Sequence, residues 1–386
     1  MRTLVIWGAG RIGRGFVAEI FREADFAISF VDIDRALVDA LERADGYTVA
    51  LAEKSGIRKV HAPKFYRALH TSETAQLEAL FEAPELLLDI AVHQPKLSEV
   101  AGQLTPLFER RALTGLPMDV MMNVNMAGPD EAFRVLMRER LSERARAYFD
   151  EKVGVTGIFA MCISPVAPAW LIREDPLALW NNGWREQAIS LDALKCAPPK
   201  APRLRVSMDI AREETRKLYT LNMAHALLCY LGLPKGHTTA LEAVRDEAIL
   251  AVLKGALSEA GLGLQKRFGF AASEMESWQS TIVELLENPY IEDALCRLGA
   301  DSRRKLGVDD RLCGPARLCR QAGGSPVNLA LAIRAGFEYE NDDEGTREVR
   351  AFYKANGLEA ALQRYCGLRP GDGVFELVTG GRGQKP

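Results

Sequence analysis

Residues 217–232 read KLYTLNMAHALLCYLG, a helix-forming run that is apolar except at Lys217, Asn222 and His225. With about 100° of turn per residue, the three fall at roughly 0°, 140° and 80° on a helical wheel. They share one broad face, with His225 between the other two. An unpaired amide or ammonium buried on such a face costs several kcal/mol, so the stripe needs partners. Hydrogen bonds between packed helices would suffice, as would Lys217 reaching water along its aliphatic stem. The chemical alternative is that the face lines a cleft opposite a redox cofactor. A lysine becomes a general base when burial and nearby positive charge bring its pKa from about 10.4 towards roughly 7–8. An asparagine N–H can hold a developing alkoxide, and a histidine can position substrate hydroxyls. Such a set would remove an alcohol proton as hydride leaves carbon.

The hydride needs an acceptor, and VIWGAGRIGRGF supplies the pattern for one. Gly8 permits a tight turn after a strand, Gly10 lets backbone approach a pyrophosphate, and Gly13 lets the following helix pack closely. Ala9, Arg11 and Ile12 complete the loop, whose helix N-terminus offers unpaired N–H groups to phosphate. Asp32 ends the next apolar run in FVDID. Its carboxylate would accept from an adenosine ribose diol and repel a 2′-phosphate, which favours NAD over NADP. Arg35 nearby works the other way. Val92, in the run DIAV, is a further expected cofactor contact. An ordinary strand-end turn would also explain glycines, but not the acid together with the flanking strand and helix.

These residues need two kinds of scaffold. The runs at 3–7, 27–33, 85–92, 118–124 and 155–163 read as buried strands alternating with amphipathic helical segments, the pattern of a parallel sheet covered on both faces. The longest helical segment is EAFRVLMRERLSERARAYFDEK. Near residue 196 the pattern changes: CAPPKAPR is a proline-rich connector, and the chain beyond it is helical. The expected architecture is a doubly wound Rossmann-type α/β domain over 1–195 and an all-helical substrate domain over 196–386.

A net charge of -3 gives no basis for nucleic-acid binding. The seven cysteines form no C-x-x-C pair and the five histidines no H-x-x-x-H pair. Reduced thiols and no structural or catalytic metal are therefore expected. No run approaches a membrane span, and the glycine loop begins at residue 8 with no apolar leader before it. The expectation is a cytoplasmic enzyme with a small-molecule substrate and no membrane partner.

The spacing K-x-x-x-x-N-x-x-H resembles the signature of the polyol-specific long-chain dehydrogenases, the mannitol dehydrogenase family. The likeness runs nearly end to end, through GAGRIGRGF, KLYTLNMAHALLCYLG, KGH (235–237), ENPYIEDALCRLG (287–299) and RRKLGVDDRL (303–312). The length suits the short sugar-phosphate branch. The resemblance implies a Rossmann domain, a helical domain of the 6-phosphogluconate dehydrogenase kind, and an active site in the cleft between them. It also implies metal-free, NAD-dependent interconversion of a polyol or its phosphate, of the mannitol 1-phosphate type, with the ketose, of the fructose 6-phosphate type. By motif position Lys217 is the acid/base, Asn222 and Asn125 the two oxyanion donors, and His225 a substrate-positioning residue. Arg297 and Lys305, with Arg304 beside them, face the substrate; basic groups there suit a phosphate. The family also implies a monomer or small homo-oligomer.

Three departures from the family stand out, one of them a residue pair. Met161–Cys162 stands where it carries an Asp–Arg pair, His93 replaces a glycine, and Val124 replaces an acidic residue before Asn125. An apolar replacement of an ion pair is often neutral for folding but changes which hydroxyls or anions a pocket accepts. Another polyol phosphate, a sugar derivative, a hydroxyacid, or an NAD-binding regulator without catalysis are the alternatives this leaves.

Overall fold

The computed structural model describes residues 2–126, 128–291 and 293–380. They form two compact units that divide after Ile210.

The first unit is built on an eight-stranded sheet. In chain order its strands are β1 (Arg2–Trp7), β2 (Phe26–Asp32), β5 (Tyr66–His70), β6 (Leu86–Ile90), β7 (Met118–Met122), β8 (Val153–Ala160), β10 (Gln187–Ser190) and β11 (Leu204–Ser207). Their spatial order is β11-β10-β8-β7-β6-β1-β2-β5. From β8 to β5 every neighbour is parallel, and β10 joins β8 antiparallel. Alternate residues of one strand enter different cores, because successive side chains point to opposite faces. Val5 and Trp7 pack with Val100, Leu104, Phe133 and Phe149 on one face. Leu4 and Ile6 pack with Phe16, Val17 and Phe21 on the other.

Not anticipated by the strand–helix alternation is a second sheet, in the order β4-β3-β9, formed by β3 (Gly46–Glu53), β4 (Gly56–Pro63) and β9 (Leu179–Asn181). The expected long helix is two helices, Pro129–Arg140 and Glu143–Lys152. Ser142 ends the continuity: its hydroxyl accepts from Ala145 N and donates to Glu109, satisfying a new helix start. The unit also ends later than residue 195, because the connector is part of it. Buried Asp119 accepts from Lys195 N and Cys196 N, and the chain then returns as β11 to pair with β10.

The second unit, Ala211 onward, is helical among its described residues. At its centre lies the helix Met223–Gly232, whose Met223, Leu227, Leu228 and Tyr230 are buried. Helices Ala240–Arg245, Glu247–Phe268 and Val327–Glu338 pack around it. The helical pattern that runs through 239–261 is divided at Asp246, which accepts from Ala248 N and Ile249 N and so caps a new helix. No described helix is long and apolar enough to cross a membrane.

Candidate active site

The glycine loop follows β1 directly. Gly8 has φ 108°, a region that side chains avoid, and its N–H donates to Val31 O at 2.8 Å. A Cβ at Gly8 would stand 2.3 Å from Ala91 O and 3.1 Å from Val92 Cγ1, so Val92 adjoins the loop. A Cβ at Gly13 would stand 2.0 Å from Gly8 O, so the loop closes on its own helix. Gly10 is different, since a Cβ there would meet nothing within 4 Å. That open space is where a pyrophosphate could approach backbone, with Ala9, Arg11 and Ile12 around it. Buried Arg14, which motif reading missed, clamps the loop by donating to Ala9 O at 2.6 Å and Leu177 O at 2.8 Å.

Asp32 accepts from Ala9 N at 2.8 Å through Oδ2 and from Asp34 N at 2.9 Å through Oδ1. A carboxylate has about four lone-pair sites, so each oxygen can still accept a ribose hydroxyl. Ile33 beside it is 60% exposed, an apolar surface fit for an adenine. Arg35 is engaged with Glu73 at 2.8 Å and Ser72 at 3.0 Å. The open space at Gly10 and the remaining acceptor sites of Asp32 fit a dinucleotide.

In the second unit, the interrupted helix is not a uniform α-helix. Ile210–Lys217 is α-helical, Leu218–Asn222 is one π-helical turn, and Met223–Gly232 is α-helical again. The wheel positions expected from 100° steps therefore do not hold between Lys217 and Asn222. A π turn bonds i to i+5, and these residues are five apart, so the wider turn moves them towards a common column. The Thr220 hydroxyl donates to Arg216 O at 2.6 Å and accepts from Trp278 Nε1 at 2.9 Å, which fixes the turn from its buried side. Lys217, Asn222 and His225 are all half-buried.

His225 marks where charges gather. Dense surroundings push its imidazole down to about 4, Asp293 opposes that, and Arg311, Arg297 and Lys217 reinforce it. It is a neutral ring at ordinary pH. Arg297 pairs with Asp293 and is otherwise exposed. Lys305 is only 4% exposed and donates to Ala300 O. Burial first, then Arg311 and Arg304, lower its ammonium to about 8. Arg304 is exposed and tied to Asp301 at 3.2 Å, so it contributes field rather than a contact inside. The short helix Ser302–Lys305 starts from Asp301, the one described non-glycine residue with positive φ, 63°. Its strain is held by Asp343 and Thr346, which accept from Asp301 N and Ser302 N.

Arg311 and Asp293 join this cluster without having been singled out in the sequence. Arg311 is 7% exposed, and its Nε donates to Asp310 at 2.7 Å. Asp293 had a usable signal, its i,i+4 spacing to Arg297; the approach of Arg311 to His225 and Lys305 is long-range.

Asn125 belongs to the first unit and lies exposed just past β7, in a turn where Met126 N donates to Val124 O at 2.9 Å. Val124 sits in the apolar core, as does Met161, and Asn182 bonds the backbone of Met161 and Ile163. The side chains at 124 and 161 therefore serve packing. His93 is exposed. Asp89 in β6 is wholly buried and accepts from Asn123 at 2.5 Å. Desolvation pushes its carboxyl up to about 8, against the pull of Asn123. Among the described residues no group of three or more His, Cys, Asp or Glu could hold a metal ion.

Known proteins agree with this division. The profile "Mannitol dehydrogenase Rossmann domain" matches residues 2–195, and "Mannitol dehydrogenase C-terminal domain" matches 209–359. A mannitol-1-phosphate 5-dehydrogenase of Brevibacillus brevis is 30% identical over 383 residues, 97% of this chain and 96% of the relative. A substrate-free D-sorbitol dehydrogenase superposes with a TM-score of 0.76 at 17% identity, covering 97% of this chain and 94% of that one. Pseudomonas fluorescens mannitol 2-dehydrogenase, solved with NAD and D-mannitol, superposes with a TM-score of 0.70 at 15% identity, covering 98% and 94%. With both halves matched in order and nearly the whole length aligned, the chain belongs to the mannitol dehydrogenase family of oxidoreductases.

Proposed function

We propose that this family member is an NAD-dependent dehydrogenase that interconverts a polyol phosphate, of the mannitol 1-phosphate type, with the corresponding ketose phosphate. The observation that carries the reading is the second unit's cluster: a lysine–asparagine π turn beside a neutral histidine and two buried cations, Lys305 and Arg311. The engaged Arg35 and the open oxygens of Asp32 support NAD over NADP, as does the NAD complex of the Pseudomonas relative. The Brevibacillus relative's name supports the phosphate.

When bound, the nicotinamide supplies the hydride chemistry. The chain's residues manage the proton and the oxygen. Lys217 takes the hydroxyl proton in the oxidative direction and returns it in the reductive one. The Asn222 amide donates to the oxygen as negative charge develops, and Asn125 is assigned the same task. Neutral His225 orients neighbouring hydroxyls. Arg311 offers a planar fork and Lys305 a point charge to the phosphate. No metal is required, and seven scattered cysteines with no C-x-x-C pair suit a reducing, cytoplasmic setting.

Phosphorylated and free hexitols, pentitols, ketoses and 2- and 3-hydroxyacids, tested with NAD(H) and NADP(H) by absorbance at 340 nm, decide the matter. Turnover of polyol phosphates with NAD, well above free polyols, is expected. Preference for a hydroxyacid, or tight NADH binding without turnover, would replace the proposal. Met161 in the core favours one variation, a polyol phosphate other than the mannitol compound, because the family's acidic contact is missing there.

A further inference from the structure

A π turn inside an α-helix interrupts the regular ladder, so contacts from outside the helix must favour it. Here Met223 N donates to Leu218 O, five residues back. Three residues in and beside the turn are tied to separate parts of the second unit. The hydroxyl of Thr220, which has no exposed surface, donates to Arg216 O and accepts from Trp278 Nε1 in the helix Ala272–Leu286. The Arg216 guanidinium lies 4.1 Å from the centre of the Trp278 ring and 4.7 Å from that of Phe270, and it pairs with Glu274 at 2.6 Å. Tyr219 Oη donates to Asp309 O at 3.0 Å. Gly314 leaves room for that phenol oxygen, since a Cβ there would stand 2.3 Å away.

The Thr220 hydroxyl closes a ring of contacts. Trp278 bonds it, it bonds the Arg216 carbonyl, and the Arg216 side chain lies back on Trp278. The ring begins at the residue before Lys217 and reaches the middle of the turn that ends at Asn222. At an α pitch Lys217 and Asn222 would stand about 140° apart, whereas the wider turn brings them towards one column. A methyl in place of the hydroxyl would take a bond from the Arg216 carbonyl and an acceptor from the Trp278 indole, both inside packed protein, where lost bonds are costly. The wide turn would then have less to hold it against the regular helix. We propose that Thr220 is a positioning residue for proton transfer, holding the turn whose pitch sets Lys217 against Asn222. This rests on the proposed function, in which Lys217 moves the proton and Asn222 holds the oxygen. With no exposed surface, Thr220 acts through the turn and not on substrate.

The test is the kinetics of the full chain with NAD and mannitol 1-phosphate. Thr220→Val should lower kcat and kcat/KM together, roughly ten- to a hundredfold, the scale of a misplacement of about 1 Å. KM for the polyol phosphate and affinity for NADH should change little. The solvent deuterium isotope effect on kcat should grow, because proton transfer then limits the rate; a mere loss of folded protein would leave it unchanged. Thr220→Ser, which keeps the hydroxyl, should restore turnover. Trp278→Phe removes the indole N–H but keeps an aromatic face for Arg216, and should show a smaller loss of the same kind. If Thr220→Val does not fold, Trp278→Phe carries the test, and an unchanged kcat there overturns the proposal. So does Thr220→Val with ordinary kcat, a loss confined to KM or NADH affinity, or Thr220→Ser no better than Thr220→Val. Lys217→Ala separates the failures. If it keeps turnover, the proposed function falls and this inference with it; if it is inactive while Thr220→Val is normal, only the inference falls.

Discussion

The glycine loop and the π turn each prepare a helix for ligand, by different physics. In the first unit the preparation is backbone: a left-handed Gly8, a Gly13 that admits no side chain, and the loop fastened through Asp32 and Arg14. In the second it is side-chain electrostatics, with burial first and neighbouring cations second lowering Lys305 to about 8 and His225 to about 4. A backbone site should fail by geometry, all or nothing. A charge site should fail by degrees, and with pH.

The largest effect expected is on proton transfer. Lys217→Ala should cut turnover by roughly 10²–10⁴-fold, the usual contribution of a general base, while NADH titration shows almost unchanged affinity. Equal loss of cofactor binding, or surviving turnover, would move the role elsewhere. Within the loop, the glycines should separate. Gly13→Ala puts a methyl 2.0 Å from Gly8 O and should lower the melting temperature sharply or prevent folding. Gly10→Ala meets nothing within 4 Å, so it should melt normally yet bind NADH about tenfold or more weakly. If both melt alike, Gly10 is not reserved for the cofactor.

The charge site is probed more gently by Arg311→Lys, which keeps the charge but loses the fork. KM for a phosphorylated polyol should rise about tenfold with little change for the free polyol. Because the Lys305 ammonium is held near 8, that KM should also climb as pH passes 8. Lys305→Arg, charged throughout, should flatten the climb; a climb that persists assigns it to another group.

The smallest effects are stability slopes of opposite sign. Asp89 has an ordinary value of 3.8 and a folded value of about 8, so the folded chain holds the extra proton between them. Its stabilising contribution is complete below pH 3.8 and lost as pH rises through about 8. His225, lowered from 6.5 to about 4, contributes above pH 6.5 and loses that contribution as pH falls through about 4. Denaturant unfolding across pH should show each slope vanish separately in Asp89→Asn and His225→Asn.

Much of this was legible without coordinates where chemistry forces a residue type at a fixed offset. Only glycine fits Gly8 and Gly13, and an acid at the end of the second strand is a short-range demand, so that half was readable. The π turn was not, because a helical wheel assumes one pitch, and the Thr220–Trp278 bond that fixes the wider turn spans 58 residues. The breaks at Ser142 and Asp246 were hidden because helical periodicity continues across each capping side chain. Arg311 looked like any arginine in a polar stretch until burial placed it near His225.

The amino-acid order alone determined the kinds of group available: the glycine pattern, the Asp32 carboxylate, and a lysine, asparagine and histidine on one helix. Those are local requirements, met within a turn or a strand. Tertiary structure decided the state of each group, because burial and through-space charge depend on neighbours far away in the chain. Only folding could make Lys305 a weakened ammonium, His225 a neutral ring and Asp89 a protonated acid.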